Sequence, residues 1–497
     1  MSIKQKAIKG VFWSGIQNWG SQAGSLIIFL ILARLLSPAD FGLIALANTL
    51  LAFFNIFIEQ GFTFALIQRQ EIESEHINTA FWTQICLGLS FTIIGFCSAN
   101  LISGIFQQPL LAPILQWFSV LFFLNSLNIV QRAILRRKLA FKAIAIRAVT
   151  GIFFSGIVGI SLALSGFGVW SLVAQQLTFE IIGVVTFWSI SDWRPKLQFS
   201  LSHFKELYTF GISIFYSNIL AFFNKNTDNL LIGYFLGEVA LGYYAVAYRV
   251  LQVLTQLLVN TGNQVTLPVL SRLQVEPEKF KRVFYKVIQF ASLIALPVFL
   301  GVETLASELV VIIFGHKWQP SIPIMQVLAF GGIISLILFF NRTAFVAIGK
   351  PFWRLRLEVL NVFFNIIACI FAVNYGILPV AFAYVISDFL VIPASLWTLN
   401  KLMEISWQAY LNQFISPVIC TGIMTTLIWL VKNWLLTILD PQFILVICTF
   451  CGVVFYIISL NILAPLLFQK LWDLVRLGLF RGRQKSSSFG DNKSSCK

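Results

Sequence analysis

Long apolar stretches follow one another almost without interruption between Lys9 and Gln469. A helix needs about 20 mainly apolar residues to cross the hydrocarbon core of a bilayer. The segments between these stretches are too short for a folded domain, since domains rarely have fewer than about 50 residues. We therefore expect every functional part of the chain to lie in or against a membrane.

The composition supports the same conclusion. Hydrophobic residues make up 58% of the chain and charged residues only 11%, whereas soluble domains carry about 25% charged residues. The apolar stretches are continuous and do not alternate with period two, which predicts helices and not the strands of a membrane barrel. The predicted fold class is an all-α integral membrane protein.

We predict about fourteen transmembrane helices, the first of which is too long for the core of a cleaved signal. The predicted stretches are 11–33, 41–67, 79–103, 112–134, 147–167, 169–190, 207–236, 240–267, 284–303, 322–348, 355–375, 377–399, 411–433 and 443–467.

The distribution of positive charge predicts an orientation, because Lys and Arg concentrate in cytoplasmic segments. With a cytoplasmic N-terminus, all but six of the 35 Lys and Arg residues fall in the termini and in every second loop. The exceptions are Arg34, Lys317 and Lys432 on the opposite face and Lys225, Arg249 and Arg342 within spans. Both termini are predicted to be cytoplasmic. Topology and anionic membrane lipids account for the net charge of +15, so no nucleic-acid partner is implied.

An internal repeat divides the chain. Residues 33–50 and 233–250 align without a gap, and Gly42/Gly242 and Ala45/Ala245 are among the identities. Both segments end an odd span and begin the next one. An even repeat of six spans gives two bundles in the same orientation, related by a pseudo-twofold axis along the membrane normal, and such transporters bind their substrate between the halves. We predict bundles at 1–200 and 201–405, two additional helices at 406–470, and a basic, disordered cytoplasmic tail at 471–497.

Polar side chains form a stripe on the first and on the seventh span, which are equivalent in the repeat. The first stripe includes Asn18 and Gln22, and the second includes Asn224 and Asp228. A polar stripe facing lipid is costly, so each stripe is expected to face protein or water. Lining of a cavity and hydrogen bonding between helices are both open interpretations.

Several charged residues are predicted within the membrane, where a charge costs on the order of 2.5–3.5 kcal/mol. Lys225 and Asp228 are three residues apart on one helix and are able to pair. Lys225, Arg249 and Arg342 are candidates for a cationic cavity that binds an anionic headgroup, since Arg forms forked hydrogen bonds to phosphate; snorkelling or helix pairing is the alternative. Candidates for proton or cation coupling are Asp228 and three isolated acids, Glu59, Glu180 and Asp388, each of which also suits a purely structural role.

No catalytic, metal or cofactor site is predicted. His76, His203 and His316 are expected in loops without clustered ligands, and Cys448 and Cys451 form a CxxC within an apolar run. A polysaccharide polymerase or a glycosyltransferase would need a long catalytic outer loop, and the predicted outer loops are short.

Several motifs resemble those of the polysaccharide flippases in the multidrug/oligosaccharidyl-lipid/polysaccharide exporter superfamily. They are Gly10-Val-Phe-Trp-Ser14, Ala33-Arg-Leu-Leu-Ser-Pro-Ala-Asp-Phe-Gly42, Glu59-Gln-Gly-Phe62, Ala65-Leu-Ile-Gln-Arg69, Asp228-Asn-Leu-Leu-Ile-Gly233 and Leu236-Gly-Glu-Val-Ala-Leu-Gly-Tyr-Tyr244. The similarity is strongest to the branch that translocates lipopolysaccharide, colanic acid and teichuronic acid units. It covers residues 5 to about 400 well.

The resemblance implies two six-helix bundles around a central cavity. It also implies export of undecaprenyl-diphosphate-linked oligosaccharide across the bacterial cytoplasmic membrane by alternating access, driven by a proton or cation gradient. Polysaccharide polymerase and chain-length proteins would be further partners. A drug or cation antiporter of the same fold and a peptidoglycan-precursor flippase remain alternatives.

Overall fold

The computed structural model describes residues 13, 15–59, 62–68 and 72–469. The predicted tail at 471–497 lies outside this part, as do the side chains of Asn18 and Glu59.

The described part folds into sixteen α-helices, and no strand occurs in it. A π-helical turn, Ile16–Gly20, precedes the first α-helix, and a 3₁₀ turn, His316–Trp318, precedes the twelfth. The α-helices are α1 Ser21–Leu35, α2 Pro38–Glu59, α3 Phe62–Gln68, α4 Ser74–Phe106, α5 Leu111–Arg137, α6 Phe141–Leu164, α7 Val169–Ile190, α8 Leu201–Phe235, α9 Gly237–Arg272, α10 Pro277–Thr304, α11 Ala306–Ile313, α12 Ser321–Ala347, α13 Pro351–Val373, α14 Ile377–Met403, α15 Trp407–Leu435 and α16 Pro441–Leu463.

Each of the fourteen predicted stretches overlaps at least one of these helices. Eleven helices are long and apolar enough to cross a membrane. They do not include α1, which has only 15 residues, nor α8 and α9, which carry Lys225, Asp228 and Arg249. The predicted all-α membrane fold is confirmed, and the number fourteen stays a prediction.

The hydrogen bonds around Ser37 explain the start of α2. Ser37 Oγ accepts a hydrogen bond from the Asp40 backbone N–H at 3.2 Å, and Asp40 Oδ2 accepts one from the Ser37 N–H at 2.9 Å. This reciprocal capping satisfies two donors at the helix N-terminus. Pro38 is the first helical residue, where a missing N–H costs nothing. The Ser-Pro-Ala-Asp sequence is therefore a helix start.

Two repeat-equivalent glycines bring α2 and α9 into backbone contact. A Cβ at Gly42 would overlap the carbonyl oxygen of Glu238, and a Cβ at Gly242 would overlap the carbonyl oxygen of Pro38. Both distances are too short for any side chain, so only glycine permits this approach. The two contacts are equivalent in the repeat, because Pro38 and Gly42 correspond to Glu238 and Gly242 at an offset of 200. They form a self-complementary contact between the equivalent segments of the repeat.

The end of α1 is fixed by the segment that follows α11. Arg34 Nε donates to the Ile313 carbonyl at 2.8 Å, and Lys317 Nζ donates to the Leu36 carbonyl at 2.6 Å. The buried Trp318 donates its indole N–H to the Ala33 carbonyl at 2.8 Å. These donors satisfy the carbonyl groups that a helix C-terminus leaves unpaired. The positively charged groups of Arg34 and Lys317 therefore bind backbone carbonyl groups of the protein itself.

The structure separates into two compact units. The first contains the described chain up to Leu257, together with Val310–Gly331 and Lys350–Ser395. Within it α4 packs on α5, α6 on α7, α1 on α6, α2 on α8, and α8 on α13.

The second unit contains Leu258–Leu309, Gly332–Gly349 and the described chain from Leu396. In it α15 packs on α10 and α16. Lys432 and Glu308 form an ion pair of 2.9 Å that is shielded from solvent. The division into bundles at 1–200 and 201–405 stays a prediction.

Candidate functional site

A cavity of about 630 Å³ lies among helices of the first unit. Helices α1, α2, α6, α7 and α9 contribute its walls. Its polar lining consists of Ser21, Gln22, Ser25, Asn48, Ser155, Gln175, Gln176, Glu180 and Arg249, and apolar residues such as Phe29, Phe41 and Phe179 complete it. Hydroxyl and amide groups dominate the polar surface, and these groups both donate and accept hydrogen bonds.

A smaller cavity of about 220 Å³ adjoins the larger one. Both are lined by Ala45, Asn48, Ala245 and Arg249. The smaller cavity adds a second cation, Lys225, and further amides from α8 and α9. Its complete lining is Ala45, Asn48, Thr49, Lys225, Asn226, Asn229, Ala245, Tyr248, Arg249 and Gln252.

Arg249 of α9 lies at the junction of the two cavities. Its guanidinium donates to Gln252 Oε1 at 3.1 Å and to Ser25 Oγ at 3.4 Å. Both acceptors are neutral, and among the described residues Arg249 forms no ion pair with a carboxylate. A half-buried guanidinium with only neutral partners keeps its charge available to an anion in the cavity.

Lys225 and Asp228 do not pair, contrary to the expectation from their spacing. Lys225 is exposed towards the smaller cavity, whereas Asp228 is buried on another side of α8. The Tyr244 hydroxyl donates to Asp228 Oδ2 at 2.5 Å, and the Asn229 backbone N–H donates to Oδ1 at 2.8 Å. Three residues along an α-helix span about 300° around its axis, so the spacing alone permits Lys225 and Asp228 to pair or to point in different directions. Packing against α9 selects the second possibility, in which they do not pair.

Glu180 borders the larger cavity, but it is not the isolated acid that the sequence suggested. Arg147 Nη2 of α6 lies 2.9 Å from Glu180 Oε2, and Asn128 Nδ2 of α5 donates to the same oxygen at 3.1 Å. Both partners of the ion pair are largely buried. The Arg147 guanidinium also lies over the Phe179 ring, 4.3 Å from its centroid. Glu180 is thus neutralised by a residue on a neighbouring helix.

Asp388 is likewise not isolated, since the Asn361 amide of α13 donates to it at 2.6 Å. Arg342 belongs to the second unit and lines neither cavity, and its buried Nε has no hydrogen-bond partner among the described residues. Of the other predicted residues, Gln22 lies in the larger cavity and donates to Gln256 Oε1 at 3.2 Å. Asn224 lines neither cavity, and the side chains of Asn18 and Glu59 are not described.

Sequence reasoning missed several cavity amides. Gln176 Nε2 donates to Asn48 Oδ1 at 2.9 Å and so joins α7 to α2 within the larger cavity. Asn226 and Asn229 line the smaller cavity next to Lys225. Each of these amides interrupts an apolar stretch. Asn48 and Gln176 lie on spans for which no stripe is predicted, whereas Asn226 and Asn229 lie on the seventh span, outside its predicted stripe.

The histidines also differ from expectation. His76 lies in the first turn of α4 and His203 in the first turn of α8, and their ring centroids are 3.8 Å apart. Three carboxylates approach the two rings. The two histidines are therefore clustered with acidic residues on helices, although they had been expected in separate loops. The spacings Glu73-x-x-His76 and His203-x-x-Glu206 are the sequence feature from which this cluster could have been predicted.

Comparisons with known proteins agree with the fold. A family model described as polysaccharide biosynthesis protein matches residues 31–323. The teichuronic acid biosynthesis protein TuaB of Bacillus subtilis is 22% identical over 434 residues, 85% of this chain and 88% of that protein. The succinoglycan biosynthesis transport protein ExoT of Rhizobium meliloti is 26% identical over 328 residues, 66% of each chain.

A solved structure of the lipid II flippase MurJ in an inward closed conformation superposes with a TM-score of 0.77 at 18% identity, covering 92% of this chain and 99% of that one. This likeness shows a shared fold. The family model matches more than half of the chain and confirms the resemblance noted in its motifs. The chain therefore belongs to the polysaccharide biosynthesis protein family.

Proposed function

We propose that the chain is a flippase that moves undecaprenyl-diphosphate-linked oligosaccharide units across the cytoplasmic membrane for polysaccharide biosynthesis. The observation that carries the proposal is Arg249. Its guanidinium faces two adjoining cavities and has no carboxylate partner among the described residues. A diphosphate supplies the missing negative charge, and its oxygens fit the forked donors of Arg.

The remaining lining suits the sugar part of such a substrate. Gln22, Gln175 and Gln176 place amide groups along the larger cavity, and sugar hydroxyls both donate to and accept from amides. Cavities of about 300–1,000 Å³ are typical of small-molecule sites. We therefore assign the diphosphate and the first sugars to the cavities and leave the polyprenyl chain in the surrounding lipid.

Alternating access requires one end of the cavity to close. Gly42 and Gly242 touch one helical turn away from Ala45 and Ala245, which line both cavities. The close contact of α2 with α9 thus borders the cavities on the side of the two short turns, predicted to be the outer face. Its self-complementary form supports two bundles related by a pseudo-twofold axis. Release of the substrate outwards would need this contact to separate.

We assign proton coupling to Asp228 in preference to the other acids. Glu180 is already neutralised by Arg147, whereas among the described residues the partners of Asp228 are a tyrosine hydroxyl and a backbone N–H. A carboxylate without a cationic partner is costly in a membrane, and protonation removes that cost. Asp388 has an amide partner and is the second candidate.

The membrane orientation is part of the same proposal. The excess of Lys and Arg in the termini and alternate loops supports cytoplasmic termini in a bacterial inner membrane. Lys225 and Arg249 argue against the drug-antiporter alternative, because a cationic drug would be repelled by them. A peptidoglycan-precursor flippase also carries a diphosphate, and the likeness of the fold to MurJ keeps it as the second candidate.

The test is a strain that lacks the chain but retains the enzymes of its polysaccharide. We expect lipid-linked oligosaccharide to accumulate in the inner leaflet and polysaccharide export to stop, with both restored by the wild-type chain. A matched pair of variants, Arg249→Ala and Arg354→Ala, separates the cavity from general loss of charge, since Arg354 is exposed at the start of α13. If Arg249→Ala exports normally while acid-to-amide changes abolish drug resistance, the flippase proposal is wrong.

A further inference from the structure

A cluster of metal-ligating side chains lies outside the cavities, where α4 and α8 begin. His76 and His203 are two of the three histidines in the chain. Their ring centroids are 3.8 Å apart, and the ring planes are tilted by 60°. His76 is buried and His203 is mostly buried. Both belong to the first compact unit.

Carboxylates surround the two imidazole rings. Glu73 Oε2 lies 3.7 Å from His203 Nε2, Glu75 Oε2 lies 3.8 Å from His203 Nδ1, and Glu206 Oε2 lies 3.5 Å from His76 Nε2. The spacings Glu73-x-x-His76 and His203-x-x-Glu206 place each acid within one helical turn of a histidine. Ligand atoms of Glu73, His76 and His203 all lie within 4.8 Å of one another.

Two imidazoles and a carboxylate form a common ligand set for Zn²⁺, which binds imidazole nitrogen at about 2.0–2.1 Å and carboxylate oxygen at about 2.0–2.2 Å. Closing the cluster to those distances requires shifts that side chains at the ends of helices can make. Glu73 is 70% exposed, so it offers both mobility and a route of entry. We propose that His76, His203 and Glu73 bind one divalent transition-metal ion such as Zn²⁺.

Such an ion would join two parts of the chain that are far apart in sequence. α4 belongs to the predicted bundle 1–200, and α8 begins the predicted bundle 201–405. The two helices already pack together in the first unit. Because the unfolded chain has no preformed site, the ion would stabilise the folded state and the arrangement in which the starts of α4 and α8 meet.

The test uses the full-length chain purified in detergent and freed of metal with a chelator. Isothermal titration with Zn²⁺ alone should give one ion per chain, and Zn²⁺ should raise the unfolding temperature. His76→Ala and His203→Ala should each weaken binding about tenfold or more, because even the loss of an outer partner of a ligand costs about 10–100-fold. His316→Ala is the matched control, since the third histidine lies apart from the cluster, next to Gln319, and its binding should equal that of wild type.

Two further measurements test the metal site independently of the histidine variants. Glu73→Ala changes an exposed residue and should fold normally while also weakening binding, so it tests the site even if a histidine variant does not fold. Titration with Co²⁺ should give no thiolate-to-metal absorption, because the cysteines take no part. The proposal is overturned if wild type binds no stoichiometric Zn²⁺, if His203→Ala and Glu73→Ala bind as tightly as wild type, or if the Co²⁺ spectrum shows thiolate ligands. None of these readouts depends on transport.

Discussion

The two walls of the larger cavity carry opposite charges that are compensated in opposite ways. On one wall, Glu180 is held by Arg147 at 2.9 Å and by an Asn128 amide at 3.1 Å. On the other, the acceptors of Arg249 in the described part of the chain are the neutral groups of Gln252 and Ser25. A charge near the bilayer centre costs on the order of 2.5–3.5 kcal/mol. The acid is therefore compensated by the protein, whereas for Arg249 we propose that a ligand supplies the compensating charge.

This difference separates structural from functional charge. A charge with a partner on a neighbouring helix fixes the packing of the two helices, and its removal should affect stability first. A charge that faces a cavity with neutral neighbours contributes little to packing, and its removal should affect transport first. Substitutions of individual charged residues test whether each charge acts in packing or in transport.

The largest effect on transport is expected for Arg249→Ala. A hydrogen bond to a charged group contributes about 1.5–3 kcal/mol, so the loss of the two bonds of a forked pair should reduce transport of lipid-linked oligosaccharide by at least about 100-fold. Arg249→Lys should retain part of the rate, because it keeps the charge and loses the fork. Rates in proteoliposomes measure both, with elution in size-exclusion chromatography as the control for folding. A wild-type rate for Arg249→Ala would show that the charge of Arg249 is not needed for transport.

Arg147→Ala should instead destabilise the fold. Removing one partner leaves Glu180 as an uncompensated charge, which typically costs about 3–5 kcal/mol. The free energy of unfolding in detergent should fall accordingly. The double variant Arg147→Ala/Glu180→Gln should recover most of the loss, because the amide carries no charge. If the double variant is no more stable than Arg147→Ala, the pair does not act by neutralising Glu180.

Asp228→Asn should remove the dependence of transport on the proton gradient. We expect the wild-type rate to rise about tenfold when a gradient is imposed, which corresponds to about 1.4 kcal/mol, and the variant to show no such rise. Tyr244→Phe is the control, since it removes the hydroxyl partner and keeps the carboxyl group. A variant that responds to the gradient as wild type does would exclude Asp228 as the coupling residue.

The smallest effect is expected for Lys225→Ala. Lys225 is exposed in the smaller cavity, and an exposed ionic contact contributes about 0.2–1 kcal/mol. Substrate affinity should fall about fivefold or less, and stability should not change. A loss as large as that of Arg249→Ala would mean that Lys225 binds the phosphate as strongly as Arg249 does.

The helices and their order could be predicted from the sequence because apolar length determines where a chain crosses a membrane. Local changes of helix type were harder to predict. A π-helical turn precedes α1. Such a turn depends on hydrogen bonding within a few residues, which the mean hydropathy of a long stretch does not reflect.

The charged and polar partners could be predicted only in part. The sequence singled out Arg249, Lys225 and Gln22, which line the cavities, because a polar residue within an apolar stretch is conspicuous. It gave Asp228 the wrong partner, and it did not pair Glu180 with Arg147. Those pairs join different helices, so they depend on the rotation of each helix about its axis, and no spacing along one helix determines that rotation.

The central claim is that Arg249 holds the diphosphate of the substrate. The most direct measurement is the affinity of the purified chain for undecaprenyl diphosphate and for uncharged undecaprenol, in wild type and in Arg249→Ala. Wild type should bind the diphosphate about 100-fold more tightly than the alcohol, and Arg249→Ala should bind the two lipids with similar, weak affinity. Equal affinity of wild type for both lipids, or a preference for the diphosphate that survives in Arg249→Ala, would contradict the claim.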